Sequence, residues 1–152
     1  MKKAEIIIAS LTLIALGMNL LSIPGGTLLT VLTILILSTM YFYLGFAILN
    51  NIPIGKIFEN DSYKNINKFR ILGSVGTGFA LATTLIGILF KIQSWPRASI
   101  NLCFGLVCLS IVAVIGLIKF KKNQADYYKF IFIRVAVFGG IGLFFLFAIN
   151  KR

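Results

Sequence analysis

The sequence predicts an all-α integral membrane protein, a single transmembrane domain of about five helices. Of the 152 residues, 59% are hydrophobic and 12% are charged, whereas soluble domains average about 45–50% apolar and about 25% charged residues. The mean hydropathy is +0.97. The apolar runs are each close to the ~20 residues that cross a hydrocarbon core of about 30 Å. Because an unpaired strand would leave backbone groups unsatisfied in lipid, we expect these runs to be helices.

Five spans are predicted in chain order. They cover about residues 4–21, 27–49, 71–90, 99–120 and 130–149. Residues 1–3 also suit the start of a signal peptide, but no small-x-small cleavage site follows, so we interpret the first run as a span. Tight turns at residues 22–26 and 91–98 join the first two pairs of spans.

Polar connections occupy residues 50–70 and 121–129. In the first of them, apolar residues recur at helical spacing among Lys and Asn, a pattern of a short amphipathic piece in the head-group region. A helix that docks a partner is the alternative. The residues in this pattern are Ile54, Ile57, Phe58, Ile66 and Phe69.

The distribution of basic residues predicts the orientation. With five spans, ten Lys and Arg lie on the side of the N-terminus and four on the other side. By the positive-inside rule, the N-terminus is cytoplasmic and the C-terminus lies outside a bacterial inner membrane. Arg134 lies just inside the fifth span and is expected to snorkel toward the basic side. The ten are Lys2, Lys3, Lys56, Lys64, Lys68, Arg70, Lys119, Lys121, Lys122 and Lys129, and the four are Lys91, Arg97, Lys151 and Arg152.

An internal repeat is predicted from a shift of 72 positions, which aligns Ser22 with Ser94 and Pro24 with Pro96. Proline disfavours helix for the residue before it and is tolerated in the first turn of the next helix. The shared Ser-x-Pro spacing therefore predicts two helical hairpins, about residues 4–49 and 76–120, in the same orientation as a parallel duplication.

The second turn carries the most distinctive motif, Leu-Phe-Lys-Ile-Gln-Ser-Trp-Pro-Arg-Ala at residues 89–98. It resembles the turn between two membrane helices in the L subunit of the gliding-motility and type IX secretion motor. That family carries approximately Leu-Phe-Lys-Ile/Leu-x-His-Trp-Pro-Gly-Ala. The resemblance covers about residues 77–117, and it implies a helical hairpin whose signature residues are Lys91, Ser94, Trp95, Pro96 and Arg97. The chain is more similar to small multi-span membrane proteins of this architecture than to the motor subunit itself.

Departures from that family limit what the resemblance implies. Ser94 replaces the usual His, and Arg97 replaces Gly. The family has a membrane-embedded glutamate thirteen residues after the Pro, where this chain has Leu109. An intramembrane carboxylate is costly and is normally retained for ion or proton handling. The resemblance therefore concerns fold, which does not carry function by itself.

The chemical inventory argues against an enzyme. The chain has no His, the commonest acid–base and metal-binding group near neutral pH. Its acids are expected at span ends or in loops, and Cys103 and Cys108 are five apart on one helix, which suits neither a metal site nor a redox pair. We expect no catalytic residue, cofactor or metal, and no nucleic-acid binding, because the basic residues form no clustered face. The acids are Glu5, Glu59, Asp61 and Asp126.

Small and aromatic residues are assigned to packing and anchoring. Small residues recur along the third span, and a second group lies in the fifth, as at close helix–helix contacts. Trp95, Tyr41 and Tyr43 are expected at the membrane boundary, where aromatic residues are enriched, and Lys91 is expected to face water or head groups. Lys91 and Arg97 are candidates for anionic lipid head groups. The packing candidates are Gly73, Gly76, Thr77, Ala80, Thr84 and Gly87 in the third span and Gly139, Gly140 and Gly142 in the fifth.

Three functions therefore remain open. The first is a non-enzymatic packing, scaffold or partner-binding module, either a homo-oligomer or bound to a membrane partner protein. The alternative is a small transporter or a protein that binds a lipid or another hydrophobic ligand. The third, which the chemical inventory disfavours, is a membrane enzyme that uses Tyr, Ser or loop carboxylates. All three place the chain in the lipid bilayer.

Overall fold

Five α-helices form a bundle. The computed structural model describes residues 1–64, 66–120 and 125–148, without the side chains of Asn60, Ala125 and Asp126. The prediction of an all-helical fold is confirmed, and the chain is a multi-pass membrane protein, since all five helices are long and apolar enough to cross a membrane. Residues 121–124 and 149–152, which carry part of the charge count and the predicted end of the fifth span, lie outside the described residues. The helices are α1 Lys2–Leu20, α2 Gly26–Leu49, α3 Lys68–Ile92, α4 Ala98–Phe120 and α5 Ala125–Ala148.

Helix α3 lies at the centre of the bundle. It packs against α2, α4 and α5, while α1 packs mainly on α2. Its residues Leu81, Leu85 and Ile88 are at most 2% exposed. Large apolar side chains are exposed on all five helices, as expected for surfaces that face lipid.

The two Pro-containing turns have the same backbone geometry. Ser22 and Ser94 adopt the left-handed conformation, with φ of 56° and 53°. The amide of the following residue donates to a carbonyl five residues back, Ile23 to Met18 at 2.9 Å and Trp95 to Phe90 at 3.0 Å. This bonding caps a helix C-terminus. Both turns line one cleft, so they lie on the same side of the bundle, which we call the turn side. The opposite face is the N-terminal side.

Side-chain contacts near the turns also correspond after the shift of 72. Asn19 donates to Thr27 Oγ1 at 3.1 Å, and Lys91 donates to Ser99 Oγ at 2.7 Å. Each pair bridges the two helices of its hairpin. Descent of the two hairpins from one ancestral unit stays a prediction.

The connection between α2 and α3 contains two short 3₁₀ helices, Ile54–Lys56 and Asn60–Tyr63. Phe58 is 97% exposed, and Tyr63 donates to the Ile57 carbonyl at 2.6 Å. The connection thus presents apolar side chains at the N-terminal side of the bundle from 3₁₀ turns rather than from an amphipathic α-helix.

Glycines make the closest helix contacts; Gly87 is among the predicted packing positions, whereas Gly45 and Gly105 are not. A Cβ at Gly45 would lie 2.8 Å from Gly78 Cα, where α2 crosses α3. A Cβ at Gly87 would lie 2.6 Å from Leu102 Cα, and one at Gly105 would lie 2.7 Å from Thr84 Cα. These three positions permit backbone approach.

The predicted packing residues fall into two groups. Thr77 and Ala80 are buried, and a Cβ on Gly142 would lie 3.0 Å from Leu106 Cδ2. Gly73, Gly76 and Gly140 have no described atom within 4 Å of an added Cβ, and Gly139 has one at 3.9 Å, so the prediction of close contacts at these positions is wrong. Within the described chain, Gly73 and Gly76 therefore make no close helix contact, because they face a groove.

Candidate functional site

An apolar groove opens between α3, α4 and α5. We call it the α3–α4–α5 groove; its volume is about 400 Å³, within the roughly 300–1,000 Å³ of small-molecule pockets. Its depth on the α3 wall comes from Gly73 and Gly76, whose missing side chains leave open space. The lining residues are Phe69, Arg70, Leu72, Gly73, Gly76, Thr77 and Phe79 from α3, Cys108, Ile111, Val112, Ile115, Gly116 and Lys119 from α4, and Tyr127, Tyr128 and Ile131 from α5.

The groove extends over half of the membrane. On α3 it runs from Phe69 to Phe79, about 15 Å at a rise of about 1.5 Å per residue. On α4 it runs from Lys119 to Cys108, about 16 Å. A hydrocarbon core is about 30 Å thick, so the groove has the length of one leaflet.

Basic and aromatic groups surround the end of the groove on the N-terminal side. The Arg70 guanidinium lies 4.2 Å from the centre of the Tyr127 ring, and Lys119 Nζ lies 5.8 Å from the Phe69 ring. Tyr127 is also hydrogen-bonded to Ser74 Oγ at 2.6 Å. Basic residues therefore lie at the head-group end, and the rest of the groove is apolar.

A buried charged cluster links the first and last helices. Glu5 Oε1 accepts from Tyr41 Oη at 2.6 Å and from Arg134 Nε at 2.6 Å, and Glu5 Oε2 accepts from Arg134 Nη2 at 2.5 Å. The Glu5 and Arg134 side chains are 6% and 12% exposed. Arg134 Nη1 also donates to the Phe130 carbonyl at 3.0 Å. We call this group the Glu5–Tyr41–Arg134 cluster.

The cluster was not predicted from the sequence. The expectation that Tyr41 anchors at the membrane boundary is wrong, because this residue is 1% exposed and bound to Glu5. Arg134 extends toward the N-terminal side, where Glu5 and Phe130 lie, but it is mostly buried in this ion pair instead of exposed to head groups. Tyr43 is 67% exposed, as an anchoring residue would be. An acid at the start of the first apolar run and a base one turn inside the last run were the available signal, but 129 positions separate them.

The signature turn lines the second candidate region, a cleft on the turn side. Ser22, Pro24, Lys91, Ser94, Trp95 and Arg97 all border it, together with the end of α5, and its volume is about 980 Å³. Pro96 lies between Trp95 and Arg97 in the same turn but is not among the lining residues.

Lys91 and Trp95 differ in their exposure at this turn. Lys91 is 7% exposed, so the expectation that it extends into water or head groups is wrong. It lies beneath the turn, where it donates to Ser99. Trp95 is 51% exposed, and its ring centre lies 4.8 Å from that of Phe90.

Little else in the described chain offers chemistry. Leu109, at the position of the motor family's glutamate, is 2% exposed in the apolar core. The described residues contain no group of three or more His, Cys, Asp or Glu side chains that would hold a metal ion. Cys103 and Cys108 are free thiols.

Comparison with known proteins gives no relative for this arrangement. The chain matches no protein-family model, no curated protein sequence and no solved structure.

Proposed function

We propose that this chain is a non-enzymatic membrane protein that holds the hydrocarbon chain of a membrane lipid in the α3–α4–α5 groove. The observation that carries the proposal is the uncovered Gly73–Gly76 wall. The groove has a volume of about 400 Å³ and a mostly apolar lining, so it suits an apolar ligand better than water. The absence of His from the sequence supports a role without catalysis.

The length of the groove favours a lipid over a partner helix. A transmembrane partner would contact this chain across most of the ~30 Å core. The groove ends at Phe79 and Cys108, about half that depth. A single acyl chain of one leaflet fits this span.

Two glycine positions provide a matched test. Gly76→Leu would fill the groove without a clash, because an added Cβ meets no described atom within 4 Å. Gly140→Leu is the control: its Cβ also meets nothing within 4 Å, and it does not line the groove. Purified proteins are diluted into lipid-free detergent, and the retained lipid is counted by native mass spectrometry. We expect the parent and Gly140→Leu to retain about one lipid more than Gly76→Leu. Equal retention by all three would refute the proposal.

We also propose the orientation and location predicted from charge: a bacterial inner membrane, with the N-terminal side in the cytoplasm. The support is the excess of Lys and Arg on that side. Alkaline phosphatase fused after Arg152 should be active, and a fluorescent protein fused there should be dark. A fluorescent and phosphatase-negative C-terminus would overturn the orientation.

A packing or partner-binding module, similar to the motor L subunit, is the second candidate. The observation that favours it is the exposed backbone of α5 at Gly140, where an added Cβ would meet open space. Such a surface admits a second helix at close range. A Gly140→Cys variant in a background without Cys103 and Cys108 should form a disulfide-linked dimer in membranes if a second copy packs there. Failure to crosslink under oxidation, with no co-purifying partner, would exclude this candidate.

A further inference from the structure

We infer that the lipid held by the α3–α4–α5 groove is anionic, with its head group at Arg70 and Lys119. This inference rests on the proposed function and adds the class of ligand. Both basic residues line the groove at its end on the N-terminal side, and the remaining wall there is aromatic. An anionic phospholipid whose acyl chain enters the groove places its phosphate at these two groups.

The position of Lys119 suits a head group. It is exposed, near the end of α4, and its Nζ approaches the face of Phe69. A lysine at the end of a span lays its methylene chain along apolar surface and holds its ammonium at the level of the phosphates. Basic pockets between helices at a membrane face are typical sites for anionic lipids.

The surrounding charge has the same sign. Among the described residues, the helices that line the groove also carry Lys68 and Lys129 at their ends on this side, both exposed, in addition to Arg70 and Lys119. A second copy of this chain would bring the same basic residues to this side and repel the first. An anionic lipid instead neutralises the excess charge, so charge complementarity favours the lipid.

The competing region on the turn side has weaker support. Lys91 and Arg97 are also basic, but Lys91 is buried beneath the turn, where it donates to Ser99. The lining of the cleft between the turns also lacks an apolar channel of leaflet length. We therefore assign the anionic lipid to the groove.

The inference is tested with phosphatidylglycerol and phosphatidylcholine of identical acyl chains, each added to delipidated protein and measured by native mass spectrometry. A basic residue near a membrane surface strengthens anionic binding by about fivefold. We expect the parent to prefer phosphatidylglycerol, and Lys119→Gln to lower this preference about fivefold. Lys119→Arg, which keeps the charge, should restore it. Lys56→Gln is the control, since Lys56 is exposed in the α2–α3 connection and does not line the groove.

The possible results separate the inference from the proposed function. Equal retention of both lipids, with both lowered by Gly76→Leu, would overturn the anionic assignment and leave an acyl-chain site. A preference for phosphatidylglycerol that Lys119→Gln and Lys56→Gln reduce equally would also overturn it, because general surface charge would then be the cause. No retention of either lipid, with no effect of Gly76→Leu, would overturn both.

Discussion

Replacing Glu5 by Leu should destabilise the bundle through the charge that it leaves behind. The Glu5 carboxylate accepts three hydrogen bonds, two from Arg134 and one from Tyr41. Without it, the mostly buried Arg134 guanidinium keeps no charged partner in the membrane span, only the Phe130 carbonyl and the neighbouring Tyr41 hydroxyl. The Tyr41 hydroxyl loses its acceptor.

The expected magnitude follows from the burial of the pair. Removing one member of a buried ion pair costs about 3–5 kcal/mol, because the other charge is left uncompensated. Translocon scales give a similar figure, about 2.5–3.5 kcal/mol, for an unpaired Arg at the centre of a span. We therefore expect Glu5→Leu and Arg134→Leu each to lower the free energy of unfolding by about 3 kcal/mol.

The double variant distinguishes a buried charge from a loss of packing. Replacing both members of a buried pair by apolar residues is often neutral or stabilising. The double variant Glu5→Leu with Arg134→Leu should consequently be more stable than either single variant. Its remaining loss of unfolding free energy, about 1–3 kcal/mol, comes from the Tyr41 hydroxyl that is left without a partner. Tyr41→Phe removes one hydrogen bond to a charged group and should cost about 1.5–3 kcal/mol.

Equilibrium unfolding in mixed micelles, followed by circular dichroism, measures these differences. A thermodynamic cycle over the two positions gives the coupling energy. If the double variant loses as much stability as the two single losses added together, Glu5 and Arg134 act independently. That result would refute the buried-pair interpretation.

Three further perturbations test other parts of the bundle. Gly78→Ala should lower the free energy of unfolding by about 1–3 kcal/mol, because its Cβ would overlap the Tyr41 carbonyl oxygen. Gly140→Ala is the matched control in the same unfolding assay. Equal stabilities of the two variants would contradict the close α2–α3 crossing. Trp95→Ala should lose the contact with Phe90 and about 0.5–1.5 kcal/mol, measured as less folded protein in detergent; unchanged stability with lost partner binding would make this turn a recognition site. In liposomes with a pH gradient and valinomycin, the protein should add no proton leak, because the Glu5 oxygens accept hydrogen bonds from Tyr41 and Arg134 and Leu109 is apolar. A protein-dependent proton flux that Glu5→Gln or Leu109→Ala changes would contradict this expectation.

Features that depend on local sequence were predicted well. Long apolar runs fix the helices, because a bilayer requires backbone hydrogen bonds within each span. Pro24 and Pro96 locate two of the turns, because proline ends one helix and begins the next. Helices α2 and α4 end where the predicted spans end, at Leu49 and Phe120.

Features that depend on which helices meet were not predicted. Gly73 and Gly76 have the spacing of a packing surface, yet α4 and α5 diverge there and leave a groove. The closest α2–α3 contact instead uses Gly45 and Gly78, which no local pattern pairs. The α3–α4–α5 groove likewise required the structure, because α3, α4 and α5 each contribute only part of its lining.

The Glu5–Tyr41–Arg134 cluster has a consequence for biosynthesis. Glu5 is made 129 residues before Arg134, so at about 5–20 residues per second the acid waits roughly 6–26 s for its base. During that time α1 carries an uncompensated carboxylate beside Tyr41. Because Glu5 lies within the first turn of α1, the early helix can keep the carboxylate at the head-group level until α5 arrives. Helix α1 can pack on α2, its main neighbour, before that, so the late step in assembly is the closure of the Glu5–Arg134 ion pair rather than the docking of α1.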